Sequence, residues 1–308
     1  MSKIAFIFPG QGAQICGMGQ DFYEQTETAK EIFNKASEIL GFSMPELCFE
    51  KNARLDITEY TQPAMVTASI AMMKVFMERT GITPSVAAGL SLGEYPAMAA
   101  AGVMSAEDAI RTVRQRGILM QEAVPAGVGA MSAVLAMDGE KIEEVIAPID
   151  GVQIANYNCP GQIVISGKKE AVDEAAVKLK EAGAKRVLPL NVSGPFHSSL
   201  LEEAGEKLGE VLAQVEVHTP VIPYIANVTA GYVTDAGDVK PLLIKQVSSS
   251  VRWEQSIRRM LEDGVDTFIE IGPGRTLTGF MKKIDRNAKA MNIEKLEDIE
   301  KVKEALGC

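Results

Sequence analysis

The chain has 308 residues, 46% hydrophobic and 23% charged, enough for one large domain or a large domain carrying a smaller insert. Its 31 Lys plus Arg stand against 41 Asp plus Glu, a net charge of −10, which argues against the sequence-independent phosphate contacts that dominate nucleic-acid binding. No apolar run approaches the ~20 residues needed to span a bilayer, so neither a nucleic acid nor a membrane is expected as partner.

Lys3 to Phe8 reads as a short buried strand, and its apolar stretch is too short for a signal-peptide core. Pro9 to Gly19 (PGQGAQICGMG) is a glycine-rich loop, and a helix follows from Asp21 to Leu40. A second long helix covers Glu59 to Arg79, stopped by Gly81 and Pro84. Ser85 to Leu90 is a short apolar run that ends at Ser91, and Leu92 to Ala101 reads as helix. The SAED beginning at Ser105 fits a capping box for a helix reaching Gln121.

The pattern then changes. Strand-like runs at Val128–Met137, Val152–Asn156, Gln162–Ser166 and Ala184–Leu190 alternate with helical stretches at Gly139–Ala147 and Lys168–Ala182. That order, β-α-β-β-α-β, is the split βαβ pattern of a ferredoxin-like unit. It predicts a small inserted domain over 125–194 and a large α/β domain built from 1–124 and 195–308. Beyond it come a helix from Ser199, where Ser199 and Glu202 suggest a capping box, a strand at Tyr224–Ala226 and a helix from Trp253. Thr267 to Ile271 enters a Gly272-Pro273-Gly274 turn, and the charged tail from Lys289 reads as a terminal helix. Strands alternating with helices predict a mostly parallel sheet covered on both faces. Cys16, Cys48, Cys159 and Cys308 form no CxxC pair, which fits reduced thiols and a cytoplasmic protein better than a zinc site or a disulfide framework.

Gly89-Leu90-Ser91-Leu92-Gly93 matches G-x-S-x-G between a predicted strand and a predicted helix. A serine on so tight a turn is exposed, and the new helix aims free N–H groups at the reacting oxygen. The five residues alone equally describe a glycine-bounded turn whose serine caps a helix; the strand–helix context favours a nucleophile. A serine needs a proton acceptor, and the chain has two histidines. His197 lies in the loop Ser193-Gly194-Pro195-Phe196-His197-Ser198 between a strand and a helix, where functional residues gather. His218, in VEVHTPVIPY, reads as a packing or solvent-facing residue. No Asp or Glu stands out to hold the imidazole, so a neutral acceptor is an option.

PGQGAQ, GLSLGEY, RTVRQRGILMQ, ANYNCPGQIVISG and GPFHS, in this order, resemble the malonyl-CoA:acyl carrier protein transacylase family from residue 9 to about residue 274. The resemblance implies an α/β-hydrolase-like large domain with a ferredoxin-like small domain. It implies Ser91 as the acylated nucleophile, His197 as base, and the backbone N–H groups of Gln11 and Leu92 as oxyanion hole. Arg116 would bind the malonyl carboxylate, and a backbone carbonyl in IKQVSSSVRW, placed at Gln246, would steady the histidine. Malonyl-CoA and acyl carrier protein are then the partners, malonyl-CoA being a substrate; no bound cofactor or metal is required, and a monomer is expected. The chain departs from one form of the family pattern in having Leu90 where some members have histidine before the nucleophile. Phe196 resembles malonyl-selective members.

Arg116 has an argument of its own. On a helix it shares a stripe with Ala109, Val113 and Met120, away from Arg111 and Arg114. A guanidinium kept there needs an anion, and its planar fork suits a carboxylate; snorkelling to solvent is the other option. The carrier protein in such systems is acidic, so docking calls for a local basic surface. Lys185-Arg186 or Lys282, Lys283 and Arg286 are candidates, although ordinary solvated charge accounts for them equally well. Three other readings are a trans-acting acyltransferase of a polyketide synthase, a serine hydrolase on the same elbow, and a carrier-binding module without activity.

Overall fold

The computed structural model describes residues 3–125, 127–192 and 194–307; Cys308 and Ser193, the first residue of the histidine loop, lie outside them. Among the described residues the strands are β1 (Ile4–Phe8), β2 (Val86–Gly89), β3 (Gly129–Leu135), β4 (Val152–Cys159), β5 (Gln162–Lys168), β6 (Arg186–Pro189), β7 (Tyr224–Ala226), β8 (Gly231–Val233), β9 (Thr267–Ile271) and β10 (Lys289–Ile293). They form a six-stranded sheet, β10-β9-β1-β2-β7-β8, and a four-stranded sheet, β4-β5-β3-β6. The large sheet is parallel except for β8, which pairs antiparallel with β7. The small sheet is antiparallel throughout.

β1 is apolar at every position because helices cover both faces of a parallel sheet. Its period of two sends Phe6 and Phe8 to one core, shared with the helix Thr58–Thr80, and Ala5 and Ile7 to another, shared with Trp253, Ile257 and Met260. Thr58–Thr80 buries residues on all its sides and is stopped by Gly81 in the left-handed region at φ 68°. Ala106–Glu122 packs in the same core, with the Ser105 side chain accepting from the Asp108 N–H as the sequence predicts. In the small sheet, Gly139–Ile146 and Lys169–Glu181 bury Ile142, Ile146, Val172 and Leu179 against Val134 and Ile165. The β-α-β-β-α-β element order is present.

Several boundaries differ from the sequence reading. The helix expected over 21–40 is two, Gln20–Gln25 and Glu27–Leu40, because Thr26 is extended and its side chain caps the second by accepting from Ala29. The tail from Lys289 begins as β10, an edge strand parallel to β9, and its helix starts only at Asp298. No capping box forms at Ser199: a 3-10 turn covers Ser199–Leu201, the helix begins at Glu202, and the Ser199 N–H donates to the Gln153 side chain. Ala236–Gln246, which the sequence reading omits, is a helix capped by Asp235. No described helix is long and apolar enough to cross a membrane.

Candidate active site

Ser91 lies two residues past Gly89, the end of β2, opens a 3-10 turn to Gly93, and precedes the helix Glu94–Ala100. A Cβ at Gly89 would lie 1.8 Å from the Gly93 carbonyl oxygen, and one at Gly93 would lie 2.1 Å from that of Phe8. The two glycines of G-x-S-x-G are therefore demanded by backbone contact. Ser91 itself has φ 51°, a conformation costing a non-glycine residue about 1–3 kcal/mol. Asn227 holds it there, accepting from the Ser91 N–H at 2.6 Å and donating to the Gly89 carbonyl at 2.7 Å.

His197, 3% exposed and also left-handed at φ 57°, places Nε2 2.7 Å from Ser91 Oγ. Its Nδ1 lies 2.8 Å from the Gln246 carbonyl oxygen. A carbonyl can only accept, so Nδ1 carries the hydrogen and Nε2 is left free to take the serine proton. Gln246 ends its helix, where backbone carbonyls lack helical partners and the dipole is negative. Burial, with Arg116 nearby, holds the imidazole down to about 4, so it is neutral near pH 7.

Arg116 is 1% exposed on the stripe with Ala109, Val113 and Met120, all buried. Its Nη1 donates to Gln62 Oε1 at 2.9 Å and its Nη2 to Gln246 Oε1 at 3.0 Å, with a longer contact of 3.4 Å to Ser91 Oγ. These partners are neutral, and Nε has none among the described residues. Arg111 and Arg114 instead pair with Asp108 and Glu59. Burial disfavours the charged guanidinium and lowers its pKa. A charge held in that setting gains most from a carboxylate brought alongside it.

Ser91, His197 and Arg116 line one cavity of about 810 Å³, together with Gln11, Leu92 and Phe196. Gln11 is anchored by its side chain donating to Thr58 Oγ1 at 3.2 Å. The cavity lies between the two sheets, since Met131, Asn156 and Val164 also face it. All six candidate site residues thus come together, while His218 is exposed beside Glu216. Lys185, Arg186, Lys282, Lys283 and Arg286 are exposed, and Lys283 donates to Gln162 at the cavity wall. Among the described residues no three His, Cys, Asp or Glu side chains are grouped to hold a metal, and Cys16, Cys48 and Cys159 are unpaired.

Three polar residues of the site escape sequence reasoning: Gln62, Asn227 and Glu94. Glu94 follows the nucleophile motif yet is 1% exposed, its Oε2 accepting from Gln246 Nε2 at 2.7 Å and the Asn227 N–H at 3.1 Å. Burial pushes its pKa up to about 7 against those hydrogen bonds and Arg116. The one available signal is their setting, polar side chains inside otherwise apolar stretches.

A serine paired with a neutral histidine on the turn after a parallel strand, with helix N–H groups behind it, is the layout of enzymes that pass acyl groups through a serine. Sequence comparison agrees: residues 5–301 match the family model described as an acyl transferase domain. A Bacillus subtilis (strain 168) protein named malonyl CoA-acyl carrier protein transacylase is 50% identical over 305 residues, 97% of this chain and 96% of that one. The crystal structure of an acyl carrier protein S-malonyltransferase from Vibrio cholerae superposes with a TM-score of 0.95 at 42% identity, covering 98% of this chain and all of the other. That of a malonyl CoA-acyl carrier protein transacylase from Clostridium perfringens gives 0.96 at 42% identity, over 99% and 98%. The chain belongs to the malonyl-CoA:acyl carrier protein transacylase family of acyltransferases.

Proposed function

We propose that this enzyme moves a malonyl group from malonyl-CoA to the phosphopantetheine thiol of acyl carrier protein, in fatty acid biosynthesis, through a malonyl ester on Ser91. The observation that carries this reading is the buried Arg116 guanidinium, with neutral partners only, 3.4 Å from the serine oxygen. A thioester placed on Ser91 with a carboxylate at its far end meets a base, an oxyanion site and a cation in one cavity.

In the forward half-reaction His197 Nε2 takes the Ser91 proton as Oγ bonds to the thioester carbon. Negative charge on the carbonyl oxygen is met by the N–H groups of Gln11 and Leu92, a contribution of about 3–4 kcal/mol per donor in comparable sites. The C–S bond then breaks, and the imidazolium returns its proton to the departing CoA sulfur. The carrier's thiol enters, gives its proton to His197, attacks the ester, and Ser91 leaves with that proton. The Gln246 carbonyl holds the imidazole in the tautomer both halves need. A monomer in the cytoplasm goes with this reading.

The same reading treats 125–194 as a ferredoxin-like domain inserted in an α/β-hydrolase-like one. In its support are the antiparallel β4-β5-β3-β6 order with two helices on one face, and a nucleophile on the turn after a parallel strand. Intact-mass analysis after exposure to malonyl-CoA tests the mechanism. A malonyl adduct that maps to Ser91, disappears in Ser91→Ala and is discharged by the carrier is the expected result. Free malonate with no transfer would make the enzyme a hydrolase instead.

A further inference from the structure

We propose that Glu94 is a positioning residue: it sets the orientation of the Gln246 side-chain amide and, through it, the guanidinium of Arg116, so that it governs preference for malonyl over acetyl donors. The inference rests on the function proposed above and adds a residue to it.

Gln246 serves the site twice. Its backbone carbonyl holds His197, while its side chain bridges three other groups. Nε2 donates to Glu94 Oε2 at 2.7 Å and to the Ser91 carbonyl at 3.0 Å, which leaves Oε1 facing Arg116 Nη2 at 3.0 Å. An amide has one donor end and one acceptor end, and Glu94 Oε2, which also receives the Asn227 N–H, accepts. Glu94, at the shorter distance, and the Ser91 carbonyl together set the nitrogen on their side and the oxygen on the arginine's side. Were the amide turned over, its NH2 would face the guanidinium, donor against donor, and both would move. The second bond on Glu94 Oε2, from the Asn227 N–H at 3.1 Å, ties the same carboxylate to the residue that holds Ser91. Glu94 is the first residue of the helix that follows the elbow, so its position is fixed by the fold rather than by rotamer choice alone. Arg116 and Glu94 are thus linked through one amide, and only a malonyl donor uses the guanidinium.

Initial rates with malonyl-CoA and acetyl-CoA, measured for the wild type, Glu94→Leu, Glu94→Gln and Gln246→Met, test this. Removing a buried hydrogen-bond acceptor should lower the malonyl-to-acetyl ratio of kcat/KM about tenfold in Glu94→Leu. Glu94→Gln, whose amide oxygen can still accept, should restore the wild-type ratio. Gln246→Met keeps the backbone carbonyl on His197 and should repeat the selective loss, with no further loss when combined with Glu94→Leu. Should Glu94→Leu fail to fold, Glu94→Asp withdraws the acceptor by one methylene and should show the same selective direction. Equal losses for both donors, or no loss for either, would leave the ratio unchanged and overturn the proposal, the first by making Glu94 merely structural. A wild type that takes no malonyl group would instead overturn the function on which it rests.

Discussion

Arg116→Ala separates substrate recognition from chemistry. The guanidinium is buried, held by two neutral amide oxygens, and a malonyl carboxylate beside it would form charge-assisted bonds out of contact with water. Truncating one partner of such a buried pair costs about 2–5 kcal/mol, so kcat/KM for malonyl-CoA should fall about 30-fold to a few thousand-fold. Acetyl-CoA has no second carboxylate. It loses only the 3.4 Å contact from Nη2 to Ser91 Oγ, a long bond worth about tenfold at most. Arg116→Lys keeps the charge without the fork and should fall between wild type and alanine for malonyl transfer. The assay is initial-rate transfer to carrier protein from each donor, with thermal melts to establish that the variants fold. Equal depression of malonyl and acetyl transfer would refute the reasoning and make Arg116 a structural residue.

Two further expectations follow from the same geometry. Because burial and Arg116 hold His197 down to about 4, its base form is present throughout the neutral range. The kcat/KM for acylation should therefore climb with pH only up to that value and lie level from about 5 to 7. An inflection near 6.5, the value of an exposed imidazole, would show that the histidine is not desolvated in the free enzyme. Gly93→Ala would drive a Cβ to within 2.1 Å of the Phe8 carbonyl oxygen and should destabilise the fold by at least about 2 kcal/mol in denaturant titration; an unchanged midpoint would refute the packing account of the elbow.

The Ser91–His197 pair was legible because each stands in a local pattern: glycines on either side of Ser91, and His197 in a loop between a strand and a helix. What holds them was not. The group that orients the imidazole is a main-chain carbonyl, which every residue possesses, so composition and spacing carry no trace of it; resemblance alone placed it at Gln246. The helix that ends there contains Pro241, a residue that disfavours a helix interior, and the side chain of Asp235 caps it by accepting from the Gly237 N–H. The edge strand β10 was hidden by its charged surroundings, since an edge strand is only partly covered and its half-exposed pattern resembles a surface helix. Glu94 was invisible for the opposite reason. A glutamate at the start of a helix is ordinarily a solvated favourable charge, and nothing in the sequence says that this one is buried.

The four-stranded sheet donates none of the six candidate site residues, but it helps to keep His197 in place. Gln153, on β4, donates through Nε2 to the His197 carbonyl at 3.1 Å and to the Ser248 carbonyl at 3.3 Å, while its Oε1 accepts from the Ser199 N–H at 3.0 Å. One side chain therefore clamps the backbone on both sides of the histidine ring: the loop that carries His197 and the segment just past the Gln246 carbonyl. β4 is also joined to that segment directly, the Val251 N–H donating to the Ala155 carbonyl at 2.8 Å and the Tyr157 N–H to that of Val251 at 2.9 Å. His197 lies in the left-handed region that non-glycine residues enter at a cost, and such a conformation persists only where its surroundings determine it more than once. The small sheet supplies that second determination, and its Met131, Asn156 and Val164 wall the cavity that Ser91 and His197 share.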